Sequence, residues 1–437
     1  MKRAIPIFLA ALLVFAGWLA VLLRDPSDLE IDDPRFEQAR VEVDERLLPS
    51  VLRYLSKLDG FADQTSFGLV LEANQGTPSR VLNLSAVHPE IGSSIDTFIS
   101  SGGFELADRL FDPDRRKQEN ADRYVETIDP LDLATVIRPP VDISTQQLSD
   151  GERLVIGVGF NYQEHREETE TKTDKFLFAK FVEPTGPYSP VSLGANHAPL
   201  SGERKLVDYE AEIGFVLLED VDLANLPASF EELRQVIAFL SANDITDRAP
   251  LILDGKKGYP AAKSAPSFLP IGPWMVHGRH IDLRSRTSGM ETVDLRLRVE
   301  EQEPAPRGQW RQHSSSSQMI RGPLEILKMA AEMWSSGEGT DSSGAFRGIV
   351  HQVGDRAMIP AGSLILTGTP GGTAIESPTN MDRLRLIALG NLSMRGARVA
   401  FAAHCVRNRQ EMGFLSVGDR VETHIQHLGR QVWDVVP

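Results

Sequence analysis

Short apolar runs separated by glycine and proline mark the chain from about residue 154 onward. Most of these runs are rich in β-branched or other apolar side chains, which is typical of strands in a packed sheet. Long amphipathic helices are few, and residues 323–334 form the clearest one. We therefore predict an α+β, β-dominated fold, a roll or sandwich rather than a doubly wound sheet. The predicted strands are 154–160, 211–218, 295–299, 364–367 and 420–425.

The N-terminus carries a different pattern. Residues 4–23 contain no charged side chain, which is long enough for one helical crossing of a bilayer. Lys2 and Arg3 precede this stretch and acidic residues follow it, so the charge bias places the rest of the chain on the non-cytoplasmic side, the periplasm in a bacterium. The prediction is a single-pass transmembrane anchor over residues 1–24. A cleaved signal peptide is the alternative.

Residues 25–150 are predicted to form a small α+β region. Apolar residues between 36 and 58 recur at mixed helical spacing around Pro49, which predicts two helices. Residues 66–112 predict strands and turns, and the polar run 113–123 predicts a loop or an exposed helix. The remainder, 151–437, is predicted to be a second and larger domain.

Three acidic residues lie at the ends of predicted strands. In segment 208–213, the alternation of strand side chains puts Glu210 and Glu212 on one face, which becomes apolar further along. A second apolar run, 236–243, ends at Asp244. Buried carboxylates are costly unless they are paired or bind a metal, and oxygen-only ligands favour Mg²⁺, Mn²⁺ or Ca²⁺ over Zn²⁺. Surface acids with a capping aspartate are the alternative.

Composition excludes several classes of protein. A net charge of -15 and a pI near 5.2, without a long basic stripe, argue against a general nucleic-acid binder. Cys405 is the only cysteine, which excludes an intrachain disulfide and a cysteine-based metal site. The motifs of P-loop proteins, zinc peptidases and serine α/β-hydrolases are missing from the sequence.

Six short motifs follow one another in the larger domain. They are Gly157-Val158-Gly159-Phe160-Asn161-Tyr162 with His165 and Glu168, Asp208-Tyr209-Glu210-Ala211-Glu212, Asn243-Asp244 with Arg248, Lys263-Ser264 running to Pro273, Thr367-Gly368-Thr369-Pro370-Gly371-Gly372, and Gly418-Asp419-Arg420-Val421-Glu422. In this order they resemble the fumarylacetoacetate hydrolase family over about residues 151–437. The resemblance implies a catalytic domain of the mixed β-sandwich roll type, usually a homodimer. It also implies Mg²⁺, or Mn²⁺ or Ca²⁺, bound by Glu210, Glu212 and Asp244.

Three further side chains suggest how a reaction is driven. His165 and Glu168 are three residues apart and share one face of a helical turn, where a carboxylate orients an imidazole as a general base for water. An ordinary surface pair is the alternative. The resemblance gives Lys263 the role of stabilising negative charge on an enolate oxygen. A solvated basic loop would explain the same lysine.

Arg248 and Thr369 are predicted to bind the substrate. The Thr369 turn offers a hydroxyl and backbone N–H groups to a carboxylate, although an ordinary β-turn has the same sequence. Arg248 is suited to pair with a carboxylate through two hydrogen bonds, or else to form a structural ion pair.

Two departures from the family affect the predicted substrate. Leu251 stands where many members carry a glutamine, so the site is expected to be more apolar. An insertion at about 376–413 contains six arginines. This insertion is expected to contact anionic lipid, to cover the active site, or to be a plain surface excursion.

The first functional hypothesis is a hydrolase that cleaves a carbon–carbon bond in a β-diketo or acylpyruvate-like acid through an enolate. A 2-oxo acid decarboxylase of the oxaloacetate type, or a related lyase or isomerase, is the second. A non-catalytic binding protein on the same scaffold is the third. The expected partners are a small keto acid and a second copy of the chain, with no nucleic acid.

Overall fold

The computed structural model describes residues 46–168, 176–194, 206–281, 283, 293–301, 307–336, 351–353, 356–375, 377–378, 380–390 and 392–437. The strands in this part of the chain are β1 (Ser50–Leu55), β2 (Thr65–Asn74), β3 (Thr77–Asn83), β4 (Val125–Thr127), β5 (Ile137–Arg138), β6 (Val155–Val158), β7 (Leu177–Ala179), β8 (Val191–Ser192), β9 (Val207–Asp208), β10 (Ala211–Leu217), β11 (Val221–Asp222), β12 (Ile237–Asn243), β13 (Thr246–Asp247), β14 (Ile271–His277), β15 (Asp294–Glu301), β16 (Arg307–Ser315), β17 (His351–Val353), β18 (Arg356–Ile359), β19 (Leu364–Leu366), β20 (Arg420–Ile425) and β21 (Gly429–Val436).

The α-helices in the same residues are α1 (Leu84–Val87), α2 (Ile95–Ser100), α3 (Gly103–Phe111), α4 (Pro113–Gln118), α5 (Leu133–Val136), α6 (Thr145–Asp150), α7 (Gln163–Glu168), α8 (Phe230–Leu233), α9 (Arg248–Asp254), α10 (Tyr259–Lys263), α11 (Pro323–Ser336), α12 (Asn380–Leu389) and α13 (Met394–Arg407).

Most strands belong to two sheets. The larger sheet has the order β4-β3-β2-β1-β14-β12-β10-β19-β6-β7, with β5 beside β1. Its central strands β10, β12 and β14 are antiparallel, whereas β19 runs parallel to β6. The second sheet has the order β16-β15-β20-β21-β8. Two small sheets, β11-β18-β17 and β13-β9, complete the strands. The predicted α+β, β-dominated class is therefore confirmed.

The larger sheet is covered on both faces. All seven residues of β10 are buried, and neighbouring side chains enter different hydrophobic clusters. Phe215 joins the cluster that contains Leu297 and Val421 of the second sheet. Val216 joins the cluster that contains Phe98 and Phe104 of the N-terminal helices. The sheet is thus a middle layer, and a polar group at its end is shielded from both sides.

Strand prediction worked best where apolar runs are bounded by turns. Strands β6, β10, β15, β19 and β20 overlap the five predicted strands, and β20 matches its predicted limits. Helix α11 contains the predicted helix 323–334. The polar run after residue 113 begins with α4, none of whose residues is buried, in keeping with an exposed helix.

The prediction of two helices between residues 36 and 58 is wrong for its described part. Residues 50–55 form strand β1, which lies between β2 and β14 in the larger sheet. Val51 packs on one face of that sheet, whereas Leu52 and Tyr54 pack on the other. A strand buried on both faces has no polar alternation, so its spacing alone does not distinguish it from a helix. Residues 36–45 lie outside the described residues.

Strand β1 also joins the N-terminal region to the larger domain through its pairing with β14. The two predicted regions therefore share one sheet. A boundary near residue 150 stays a prediction.

The predicted single-pass membrane location is wrong. No helix in the described part of the chain is both long enough and apolar enough to cross a bilayer. The predicted anchor, residues 1–24, lies outside the described residues.

The double burial of the larger sheet predicts a large cost for truncating Phe215. Removing its ring leaves a cavity in the middle layer, and we expect Phe215→Ala to lower the free energy of unfolding by about 3–5 kcal/mol in urea titrations. The matched control is Phe181→Ala, whose ring is 49% exposed. That change should stay within about 0.5 kcal/mol of the parent protein. Equal losses in the two variants would contradict this account of the core.

Candidate active site and metal centre

Glu210, Glu212 and Asp244 meet where β10 begins and β12 ends. The antiparallel register pairs Ala211 with Asn243, and the backbone N–H of Asp244 donates to the carbonyl of Glu210 at 2.9 Å. One oxygen from each carboxylate lies within 4.8 Å of the others, and all three residues are buried. We call these three residues the carboxylate cluster. Their proximity follows from strand pairing, because the two strands run in opposite directions and bring their acidic ends together.

Two of the three carboxylates have cationic partners. Lys263 Nζ lies 2.6 Å from an oxygen of Glu210 and 2.6 Å from an oxygen of Asp244. Arg248 Nη2 lies 2.7 Å from the other oxygen of Glu210. Burial alone would raise the pKa of Glu210, but Lys263 and Arg248 lower that pKa to about 2. Glu210 is therefore ionised at neutral pH.

Glu212 is in a different electrostatic environment. Its carboxylate accepts a 2.6 Å hydrogen bond from the backbone N–H of Gly368, and among the described residues it forms no ion pair. Burial, and then the negative charges of Asp244 and Glu210, raise the pKa of Glu212 well above its usual range. A buried carboxylate in this position is stabilised by an added cation.

The donor set therefore fits a divalent metal. Four buried carboxylates, those of the cluster and Asp208, face three cations, Arg248, Lys263 and Lys180. All three atoms that the cluster offers are carboxylate oxygens, the ligands of hard cations such as Mg²⁺, Mn²⁺ and Ca²⁺. An ion held by the cluster would also relieve the repulsion that raises the pKa of Glu212.

His165 and Glu168 lie on the short helix α7, next to this cluster. His165 Nδ1 is 3.5 Å from Glu168 Oε2, and the other oxygen of Glu168 accepts a 2.7 Å hydrogen bond from the N–H of Gly372. The ring of Phe160 stacks on the imidazole, with centroids 5.9 Å apart and planes 16° from parallel. Phe160 has a φ of 60°, an uncommon conformation for a large side chain. The imidazole is thus oriented on two sides.

Asn161 fixes the start of α7 against the end of β19. Its side-chain N–H groups donate to the carbonyls of Thr367, at 2.7 Å, and Arg321, at 2.9 Å. Its carbonyl oxygen accepts from the N–H of Arg321 at 2.9 Å. Since Asn161 is fully buried, these bonds replace water and hold the His165 helix at one position.

A cavity of about 200 Å³ brings the predicted side chains together. Its polar lining residues are His165, Glu210, Arg248, Tyr259, Lys263, Thr369 and Ser377. Glu212 and Asp244 lie behind this lining, next to Glu210 in the carboxylate cluster, and Glu168 lies behind it next to His165. The structure thus places all eight residues predicted from the sequence in one connected site. Leu251, predicted to make the site apolar, also lines the cavity.

Two predicted substrate ligands have partners within the protein. The hydroxyl of Thr369 donates to the carbonyl of Ala211 at 3.1 Å and accepts from the side chain of Gln312 at 2.8 Å. Arg248 Nε donates to Asp208 at 2.8 Å, in addition to its contact with Glu210. Asp208 therefore fixes the guanidinium at the wall of the cavity.

Sequence reasoning missed Lys180 and Gln312. Lys180 directly follows β7, is fully buried, and its Nζ lies 2.5 Å from an oxygen of Asp244. A charge at the end of an apolar run was the signal that identified Asp244, and the same signal was present at Lys180. Gln312, on β16, accepts from the N–H of Ala211 at 2.9 Å and links the two sheets behind the cluster. An isolated glutamine in an alternating strand gives no such signal.

The turn after β19 requires glycine at residue 368. Gly368 has a φ of 92°, and a Cβ there would lie 2.8 Å from the Cβ of Asn161 and 3.0 Å from the carbonyl oxygen of Val158. Its N–H is the donor that holds Glu212. The close approach of this turn to α7 therefore depends on a missing side chain.

We expect Gly368→Ala to lower the free energy of unfolding by more than Gly151→Ala does. Gly151 has a φ of 73° with nothing within 4 Å of an added Cβ, so its change introduces only the left-handed strain of about 1–2 kcal/mol. At Gly368 the overlap with Asn161 adds about 1–3 kcal/mol. Urea titrations of the two variants measure the difference, and equal losses would show that the close contact has no energetic weight.

Known proteins resemble this chain in sequence. The family described as fumarylacetoacetate (FAA) hydrolase, C-terminal, matches residues 154–436. A Mycobacterium tuberculosis protein named Rv2993c is 28% identical over 242 residues, 55% of this chain and 73% of that protein. The mitochondrial oxaloacetate decarboxylase of Dictyostelium discoideum is 24% identical over 233 residues, 52% of this chain and 85% of the decarboxylase.

The fold has a solved counterpart. The fumarylacetoacetate hydrolase of Exiguobacterium antarcticum superposes with a TM-score of 0.51 at 19% identity, covering 89% of this chain and 99% of the other. This likeness shows the mixed sheet architecture with helices. Because the family match spans more than half of the chain, the protein belongs to the fumarylacetoacetate hydrolase family.

Proposed function

We propose that the protein is a metal-dependent hydrolase that cleaves a carbon–carbon bond in a β-diketo or acylpyruvate-like acid. The observation that carries this proposal is the His165–Glu168 pair on the wall of the cavity that also contains Glu210 and Lys263. A base for water and cations for an enolate are the two requirements of such a cleavage. The resemblance to the family also implies a homodimer, which stays a prediction.

His165 is the proposed base. Its Nδ1 lies 3.5 Å from Glu168 Oε2, which orients the ring, and its other ring nitrogen takes a proton from water. The oxygen of that water bonds to the acyl carbonyl carbon. The bond between this carbon and the neighbouring methylene then breaks, and its electron pair becomes the enolate of a 2-oxo acid. The imidazolium then returns the proton to the enolate carbon. The products are a carboxylic acid and the 2-oxo acid.

Lys263 is the proposed enolate partner. Burial lowers the pKa of this amine, but Asp244 and Glu210 outweigh burial and raise the pKa above its usual value. The amine is therefore cationic at neutral pH and presents its charge in a water-poor site. A divalent ion held by the carboxylate cluster would supply Lewis-acid stabilisation of the same developing charge.

A second candidate is decarboxylation of a 2-oxo acid of the oxaloacetate type. The similarity to the Dictyostelium discoideum protein named oxaloacetate decarboxylase favours it. Loss of CO₂ leaves the same kind of enolate, so Lys263 and the carboxylate cluster serve both reactions. Only the hydrolysis needs an attacking water, and only the hydrolysis therefore needs His165 as a base.

Metal binding is expected to depend on Glu212. We predict that Mg²⁺ binds the purified protein in isothermal titration calorimetry and that Glu212→Gln weakens this binding at least about 10-fold, because a charged ligand is lost. Glu219→Gln is the matched control, since Glu219 is exposed and forms no part of the cluster. Unchanged Mg²⁺ affinity in Glu212→Gln would show that the cluster is not the metal site.

Replacing His165 is expected to distinguish hydrolysis from decarboxylation. In a Mg²⁺-supplemented screen of acylpyruvates and 2-oxo dicarboxylic acids, with Glu210→Ala as the blank, we predict acylpyruvate cleavage that falls about 10²–10⁴-fold in His165→Ala. The control is His88→Ala, which changes an exposed histidine. Products are identified by mass spectrometry. Full activity of His165→Ala, with CO₂ as a product, would favour the decarboxylase and refute the role of this imidazole.

A further inference from the structure

The insertion predicted at residues 376–413 forms two packed helices. Helices α12 and α13, which we call the helical insertion, come closest at Gly390, which follows α12, and Gly396, in the first turn of α13. A Cβ on Gly390 would lie 2.2 Å from the backbone nitrogen of Ala397, and a Cβ on Gly396 would lie 2.0 Å from the carbonyl oxygen of Gly390. Backbones this close need glycine at both positions. The insertion is therefore a tightly built element.

The helical insertion packs on α9, the helix that begins with Arg248. Arg398 Nη1 donates to the carbonyl of Leu253 at 3.3 Å, which ties α13 to the end of α9. Phe401 packs against the insertion's own apolar cluster and also against the cluster that contains Ala249. The same ring lines the cavity. Phe401 thus connects the insertion directly to the space in which a ligand binds.

The cavity has a charged part and an apolar part. Among its described lining residues, Arg248 and Lys263 are the lysine and arginine side chains, and both contact Glu210. Leu251 and Ile252 come about one helical turn after Arg248 on α9, and Phe401 packs in the same cluster as Ile252. A ligand whose carboxylate lies at Arg248 and Lys263 therefore has these apolar side chains available for its other end.

We propose that Phe401 of the helical insertion determines specificity, by forming the far wall for an apolar tail on a 2-oxo acid. The inference rests on the proposed function, because the charged end of the ligand is the 2-oxo acid bound beside the carboxylate cluster. A second carboxylate at the far end of a longer chain would be buried among Leu251, Ile252 and Phe401, because the two cationic lining residues, Arg248 and Lys263, already contact Glu210. Such burial is costly, so a monocarboxylic acid with an aliphatic tail is selected.

The test is calorimetric binding of 2-oxo acids to the Mg²⁺-loaded protein, which needs no turnover. Pyruvate probes the charged end alone, and 2-oxobutyrate, 2-oxopentanoate and 2-oxohexanoate add one methylene each. In the parent protein, affinity should rise about fourfold for each methylene that the apolar part buries. In Phe401→Ala, 2-oxohexanoate should bind about 10-fold more weakly, with pyruvate affinity unchanged.

Two further variants make the result specific. Phe401→Leu keeps an apolar wall and should recover most of the 2-oxohexanoate affinity. Val399→Ala is the control on the same helix, because Val399 is 46% exposed, and it should change neither affinity. Circular dichroism checks that each variant is folded.

The outcomes separate the two proposals. The role of Phe401 as the far wall is refuted if 2-oxo acids bind with an affinity that does not depend on chain length. It is also refuted if Phe401→Ala weakens pyruvate binding as much as 2-oxohexanoate binding. In both cases the proposed function stands. If no 2-oxo acid binds the Mg²⁺-loaded protein at all, the proposed function falls and the wall falls with it.

Discussion

The burial of three carboxylates at one point is the constraint on which the rest of the site depends. Charges of the same sign held this close in a low-dielectric interior repel one another strongly, and each also loses its hydration. This repulsion is offset by three cations, Lys263, Lys180 and Arg248, all of which contact the cluster. Lys180 is itself so deeply buried that its pKa is lowered, although Asp244 opposes that shift. Carboxylates and cations therefore hold one another in place, and Glu212 remains the carboxylate most in need of an added cation.

The sheets make this arrangement possible because strand pairing fixes the backbone positions from which the side chains extend. Strand pairing sets Glu210 beside Asp244, and the turn after β19 brings the N–H of Gly368 to Glu212. Gln312 then connects the second sheet to β10 and to the turn after β19. Because each of these contacts is buried, removing one leaves a polar group without water, which costs more than the contact itself contributes. The contacts that stabilise this end of the sheet are thus the same contacts that set the geometry of the site.

The sequence predicted the parts of this site that depend on local pattern. Asp244 was found because a charge ended an apolar run, and Glu210 because it lies on a strand face that becomes apolar further along. Strand β1 was assigned to a helix, since a strand buried on both faces lacks alternation and its partner β14 lies more than two hundred residues away. Gln312 was missed for a related reason, because its importance comes from a long-range pairing of sheets and not from its neighbours in the chain. Whether the insertion covered the site or only the surface was also undecidable from its composition.

The site consequently has two parts with different origins in the chain. The charged end is built from the ends of strands, from α7, from the first turn of α9 and from the last residue of α10, and its charges suit a reaction that passes through an enolate. The apolar part is built by α9 and the helical insertion, through Leu251, Ile252 and Phe401. Membership of the family and the shared charged end therefore do not decide the substrate, since one constellation serves several reactions. We propose that the side chains that meet the rest of the ligand decide it, among them the apolar Leu251, Ile252 and Phe401, the last of which comes from the helical insertion.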